Sequence, residues 1–115
     1  MRTQTQLNKI TSEVSLRVRR VLNDHLHSII LYGSYARGDY SDHSDVDIMV
    51  LADVSDNERP TFQKSIDKIS SAISLENDIV VSISFKNKKF FDTHTSVLPF
   101  YRNIVKEGVE VYAAK

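Results

Sequence analysis

Leu31-Tyr32-Gly33-Ser34-Tyr35-Ala36-Arg37-Gly38, followed after a polar loop by Asp45-Val46-Asp47-Ile48-Met49-Val50, is the stretch whose reading sets the fold. His25 to Tyr32 (HLHSIILY) reads as a strand that stops abruptly at Gly33, and Val46 to Ala52 (VDIMVLA) as a second strand. Gly33 lets the backbone turn sharply and come close to a ligand, and Ser34 stands where a short helix would start. Free amides at a helix start favour anions, and the Ser34 hydroxyl adds a donor. In the second strand the period of two aims the Asp45 and Asp47 carboxylates from one face, while Val46, Ile48 and Val50 point into the opposite, apolar one. Two like charges held together repel each other and raise a pKa. A Mg²⁺ ion, which takes hard oxygen ligands and keeps positions free for phosphates, turns that repulsion into binding. A phosphate seat and a carboxylate pair on adjoining strands are the two halves of a site for a metal-bound nucleoside triphosphate.

On the N-terminal side, Leu7, Ile10, Val14, Val18, Val21 and Leu22 form a helical stripe, with Arg17, Arg19 and Arg20 mostly off that face. On the C-terminal side, Phe62, Ile66, Ile69 and Ile73 mark a second helix. Its start is ambiguous, because Ser55 and Glu58 resemble a capping box while Pro60 belongs in a first turn. Ile79 to Phe85 alternates as a half-buried third strand. Lys86 to Thr95 reads equally as a short helix or as a loop anchored by Phe90 and Phe91. A last helix is expected from about Ser96 to Glu107, with Pro99 near its start and Gly108 past its end, before a short strand at Val109 to Tyr112. The order predicts an α/β (α+β) fold, a sheet covered by helices mainly on one side that leaves the other face available for a site.

The chain has 115 residues, which suits one domain spanning 1–115. Fifteen Lys plus Arg balance fifteen Asp plus Glu, so no global field favours nucleic acid or an anionic membrane. The absence of cysteine excludes a disulfide framework, a zinc ribbon and a thiol nucleophile, and fits the cytoplasm. Met1 to Gln6 is polar where a signal peptide needs an apolar run, and no apolar stretch approaches the ~18 residues of a spanning helix. No Gly-x-x-x-x-Gly-Lys, Gly-x-Gly-x-x-Gly, Gly-x-Ser-x-Gly or His-Glu-x-x-His motif offers competing chemistry.

Gly33-Ser34, ten residues, then Asp45-x-Asp47 resembles the signature of the minimal nucleotidyltransferases, small members of the DNA polymerase β-like superfamily. The neighbouring Leu31 to Gly38 and the ending Pro99 to Val109 strengthen the likeness. It implies a nucleotidyltransferase-like mixed sheet with helices packed mainly on one face, and Mg²⁺-dependent transfer of a nucleoside monophosphate, AMP from ATP in the first instance, to a hydroxyl. Members often accompany a HEPN-type toxin as its antitoxin, and a homo-oligomer is compatible with the resemblance. It assigns Gly33 and Ser34 to the triphosphate and Asp45 and Asp47 to the metal. Arg37 falls in the motif neighbourhood, either on phosphate or as an anchor of the loop. The third carboxylate of the superfamily lies on the strand after the second helix. Here only Asp78 is available at that strand's start, as third ligand and base or as a turn residue. An active transferase and an inactive nucleotide-binding module that neutralises a partner by covering it are the two functions this leaves.

Overall fold

The computed structural model describes residues 4–114; residues 1–3 of the polar start, and residue 115, lie outside the described residues. Helix α1 (Gln4–Leu22) carries the expected stripe, with Leu7, Ile10, Val14, Val18 and Leu22 buried. A single 3₁₀ turn over Asn23–His25 leads into strand β1 (Leu26–Tyr32). Asn23 adopts a positive φ of 48° there, which turns the chain, so His25 sits before the strand rather than in it. His25 lies against Phe62 and the Asp53 carbonyl, and His27 against the Ser28 hydroxyl.

After the one-turn helix α2 (Ser34–Arg37) and a polar loop, β2 (Val46–Ala52) runs antiparallel to β1. Helix α3 (Arg59–Asn77) then crosses back, so that β3 (Val81–Asn87) lies parallel to β2, as a helical crossover requires. The ambiguity at the start of α3 resolves into both readings. Ser55 and Glu58 close a turn, the Ser55 hydroxyl donating to Glu58 at 2.9 Å, and Pro60 occupies the first helical turn that follows. Helices α4 (Lys88–His94) and α5 (Pro99–Glu107) precede β4 (Val109–Ala113), which pairs antiparallel with β1. The sheet order is β3-β2-β1-β4.

The two long helices lie side by side on one face of this mixed sheet. Val14, Val18, Ile66 and Ile73 pack there against Ile29, Leu31, Val46, Ile48, Val50 and Phe85. Each such side chain contributes roughly 1.5–3 kcal/mol by leaving water. Arg17 joins the two helices through Glu76 at 2.8 Å, and Arg19 lies 4.6 Å over the Tyr112 ring. The opposite face carries a smaller cluster of Met49, Leu51, Phe91, Tyr101 and Ile104 under α4 and α5. That cluster covers part of the second face and leaves a cleft beside it, at the C-terminal end of β1 and the start of β2. No helix among the described residues is long and apolar enough to cross a membrane.

Candidate functional site

Gly33 is the hinge between β1 and α2. Its φ of 77° and ψ of −157° belong to a region that side chains do not tolerate, and a Cβ there would collide with the Asp47 carboxylate. The glycine is thus required twice, for the turn and for the close approach of the second strand. The Gly33 carbonyl accepts from the amides of Ala36 and Arg37, both at 3.1 Å, which sets Ser34 on the first turn of α2. The Ser34 hydroxyl makes no hydrogen bond to the described residues.

Asp47 lies within the sheet. Its register neighbours are Tyr32 on β1 and Ser82 on β3, so the position beside it on the third strand holds a hydroxyl and no carboxylate. Asp45 stands just ahead of β2 and is exposed, whereas Asp47 is half-buried. Burial, reinforced by the charge of Asp45 and partly offset by Arg37, raises the Asp47 carboxyl above its ordinary pKa. Among the described residues neither carboxylate accepts a hydrogen bond. Burial, with Asp47 adding to it and the Ser84 hydroxyl at 3.3 Å opposing it, likewise raises the Tyr32 phenol.

A cleft of about 370 Å³ brings Gly33, Ser34, Arg37 and Asp47 together with Tyr32 and four residues of α5: Phe100, Asn103, Ile104 and Glu107. Arg37 is held by Asp39 at 3.2 Å and by Glu107 at 3.6 Å, and the Asp39 bond and charge raise its guanidinium above the ordinary value. These ion pairs tie it to the loop at Asp39 and to α5 at Glu107, and it lines the cleft. The α5 residues lie in the Pro99 to Val109 ending that resembles the family's final helix, but nothing in that resemblance placed them at the site. The signal that could have found them is their spacing, i, i+3, i+4 and i+7, which puts all four on one helix face.

Asp45 and Asp78 border a neighbouring depression, lined also by Asp42, His43, Leu75 and Val80. Asp78 is not on β3. It caps α3 in the left-handed conformation, with φ 51° and ψ 45°, its amide donating to the Ser74 carbonyl, and its side chain is exposed. The strand begins only at Val81, so the alternation read from Ile79 onward runs across this cap. No group of three His, Cys, Asp or Glu able to hold a metal gathers among the described residues. The pair Asp45 and Asp47 nevertheless fits Mg²⁺. That ion is commonly bound through one or two carboxylates and completed by substrate phosphates, and the proton affinity raised at Asp47 is what a cation would relieve.

The description of the family that matches residues 12–111 is nucleotidyltransferase domain. A candidate protein adenylyltransferase of Methanocaldococcus jannaschii is 36% identical over 108 residues, 92% of this chain and 99% of its own. Among solved structures, a candidate nucleotidyltransferase from Sulfolobus solfataricus matches 96% of this chain and 85% of its own with a TM-score of 0.63 at 20% identity. A toxin-antitoxin structure with AMP-PNP matches 91% of this chain and 74% of its own, with a TM-score of 0.59 at 20% identity. At these identities the two structures speak for the fold.

Proposed function

Because the chain belongs to the nucleotidyltransferase domain family, and is thereby a nucleotidyltransferase, we propose that it moves AMP from ATP to a hydroxyl of a protein, with Mg²⁺, in the cytoplasm. The acceptor we favour is a HEPN-type toxin that this chain, as antitoxin, silences by modifying it. One observation carries the reading: the unbonded Ser34 hydroxyl, Arg37 and the half-buried Asp47 line a single cleft at a glycine whose positive φ strains any side chain.

In this reading the amides and hydroxyl of the Gly33–Ser34 turn seat the β- and γ-phosphates. Asp45 and Asp47 hold Mg²⁺, which when bound supplies charge neutralisation at the phosphates and at the attacking oxygen. The acceptor oxygen forms a bond to the α-phosphorus as the bond to pyrophosphate breaks. The acceptor's proton passes to Asp78, which borders the neighbouring depression together with Asp45. Arg37, already positioned by two carboxylates, steadies the departing charge.

The exposed cap position of Asp78, with a serine beside Asp47 on β3, favours the second reading, a nucleotide-binding module that neutralises its partner by covering it. Asp78→Asn separates the two, since loss of a general base lowers transfer by at least ~100-fold while triphosphate still binds. Mass spectrometry of the co-expressed toxin tests the whole proposal. An added AMP, absent with the Asp45→Asn, Asp47→Asn variant, is expected. A toxin left unmodified but neutralised by both forms would overturn the enzyme reading in favour of the module.

A further inference from the structure

The wall of the cleft facing Gly33 and Ser34 is one face of α5, where Phe100, Asn103, Ile104 and Glu107 follow one another along about 10 Å of helix. Ile104 is buried in the small cluster beneath and fixes which way this face points. Phe100 leaves 49% of its surface exposed and stands edge-on to Tyr32, the ring centroids 5.6 Å apart at 82°. Asn103 is exposed, and its side chain makes no hydrogen bond to the described residues. The wall does not suit phosphate, because it presents an apolar ring and the Glu107 carboxylate. The donors for phosphate, Ser34 and Arg37, come from α2.

We infer that this wall is the nucleobase subsite, with the base stacked on Phe100 and its edge read by the Asn103 amide. The inference rests on the triphosphate reading of the Gly33–Ser34 turn and adds to it the end of the substrate that distinguishes one nucleotide from another. An exposed aromatic ring braced by a second ring is a stacking platform that accepts any base, so Phe100 supplies affinity. An amide side chain offers one acceptor and a donor pair side by side, the complement of the exocyclic amine and ring nitrogen of adenine, so Asn103 supplies preference. The cleft volume of about 370 Å³ lies within the ~300–1,000 Å³ of small-molecule sites.

Calorimetry with Mg²⁺ present, comparing ATP, GTP and inorganic tripolyphosphate as ligands, tests the assignment. The unaltered protein is expected to bind ATP about tenfold or more tightly than tripolyphosphate, the worth of one stacked base. Phe100→Ala should remove that advantage and leave tripolyphosphate binding unchanged, whereas Phe100→Tyr, which keeps the ring, retains it. Asn103→Ala should narrow the preference for ATP over GTP. Unchanged ATP affinity in Phe100→Ala would overturn the inference and leave Phe100 to the apolar skin it shares with exposed Val97 and Leu98. Equal affinity of the unaltered protein for ATP and tripolyphosphate would also overturn it. ATP binding that depends on Phe100, with no binding of tripolyphosphate, would sustain the base subsite and reject the phosphate seat. A protein that binds no ATP would reject both.

Discussion

Asp47 is the residue at which strand geometry, burial and charge meet. Its carboxyl is raised by burial and by Asp45, so the folded chain holds that proton more tightly than the unfolded chain does. Between the ordinary carboxylate pKa and the raised folded value, stability therefore falls as pH rises, and above that window a constant penalty remains. Asp47→Asn should lift that penalty at neutral pH in the absence of metal, seen as a higher urea midpoint. The gain should vanish below the ordinary carboxylate range. The Asp45→Asn, Asp47→Asn variant should lose at least ~100-fold in transfer while remaining folded, read by product formation beside urea denaturation. Transfer at the unaltered rate would reject the metal assignment. Gly33→Ala should cost about 1–3 kcal/mol for its backbone conformation alone and should also displace Asp47. Gly38→Ala, at φ 84° with open space around the missing Cβ, should cost about 1–2 kcal/mol and leave transfer intact. The need for a glycine at 33 was legible from its place between a strand and a serine. The Asp47 carboxylate as the group that forbids a Cβ was not, because the contact joins two strands.

At the scale of elements, the helix α4 shows what periodicity misses. Its apolar content is two adjacent phenylalanines, one buried and one exposed, so no stripe marks it. What makes it a helix is Asn87, whose side chain accepts from the Lys89 amide at 2.9 Å and donates to the Val54 carbonyl at 3.4 Å. Asn87→Ala should cost about 1–2 kcal/mol, seen as a lower denaturation midpoint at unchanged slope. Asn87→Asp, which keeps the cap acceptor, should cost less. The third strand was displaced by two residues for a related reason. Buried Ile79 continues the alternation of Val81 and Phe85, but it belongs to the helix end, its amide donating to the Ser74 carbonyl. At the other end the ladder runs past Phe85, since Lys86 and Asn87 pair with Leu51 and Ala52 through backbone groups that ignore side-chain polarity. The first and second strands were legible nearly to the residue, because Gly33 and the Ser- and Asp-rich loop punctuate them.

For the molecule as a whole, two long helices on one face and two short ones on the other place the cleft at one end of the sheet. On the proposed joint site a triphosphate and Mg²⁺ bind together there, so ATP should raise the melting temperature with Mg²⁺ and much less with chelator. At a concentration 100 times Kd the gain should be about 2.7 kcal/mol. An equal rise under chelation would reject the joint site. The helix of Pro99 to Glu107 was legible as part of the family likeness, but its place on the wall of the cleft was not, because the sheet sets it there only in the fold. The same distance along the chain governs how the protein comes together. Residues 33–47 form the phosphate and carboxylate half within one antiparallel pair, a short loop closure that costs little entropy and forms fast. Helix α5 arrives from the last sixth of the chain and buries only Tyr101 and Ile104. Its amides should therefore exchange with deuterium through a partial opening of lower free energy than the β1–β2 ladder. On the proposed assignment of the two walls, that open form would keep its seat for phosphate and lose its means of telling one nucleotide from another.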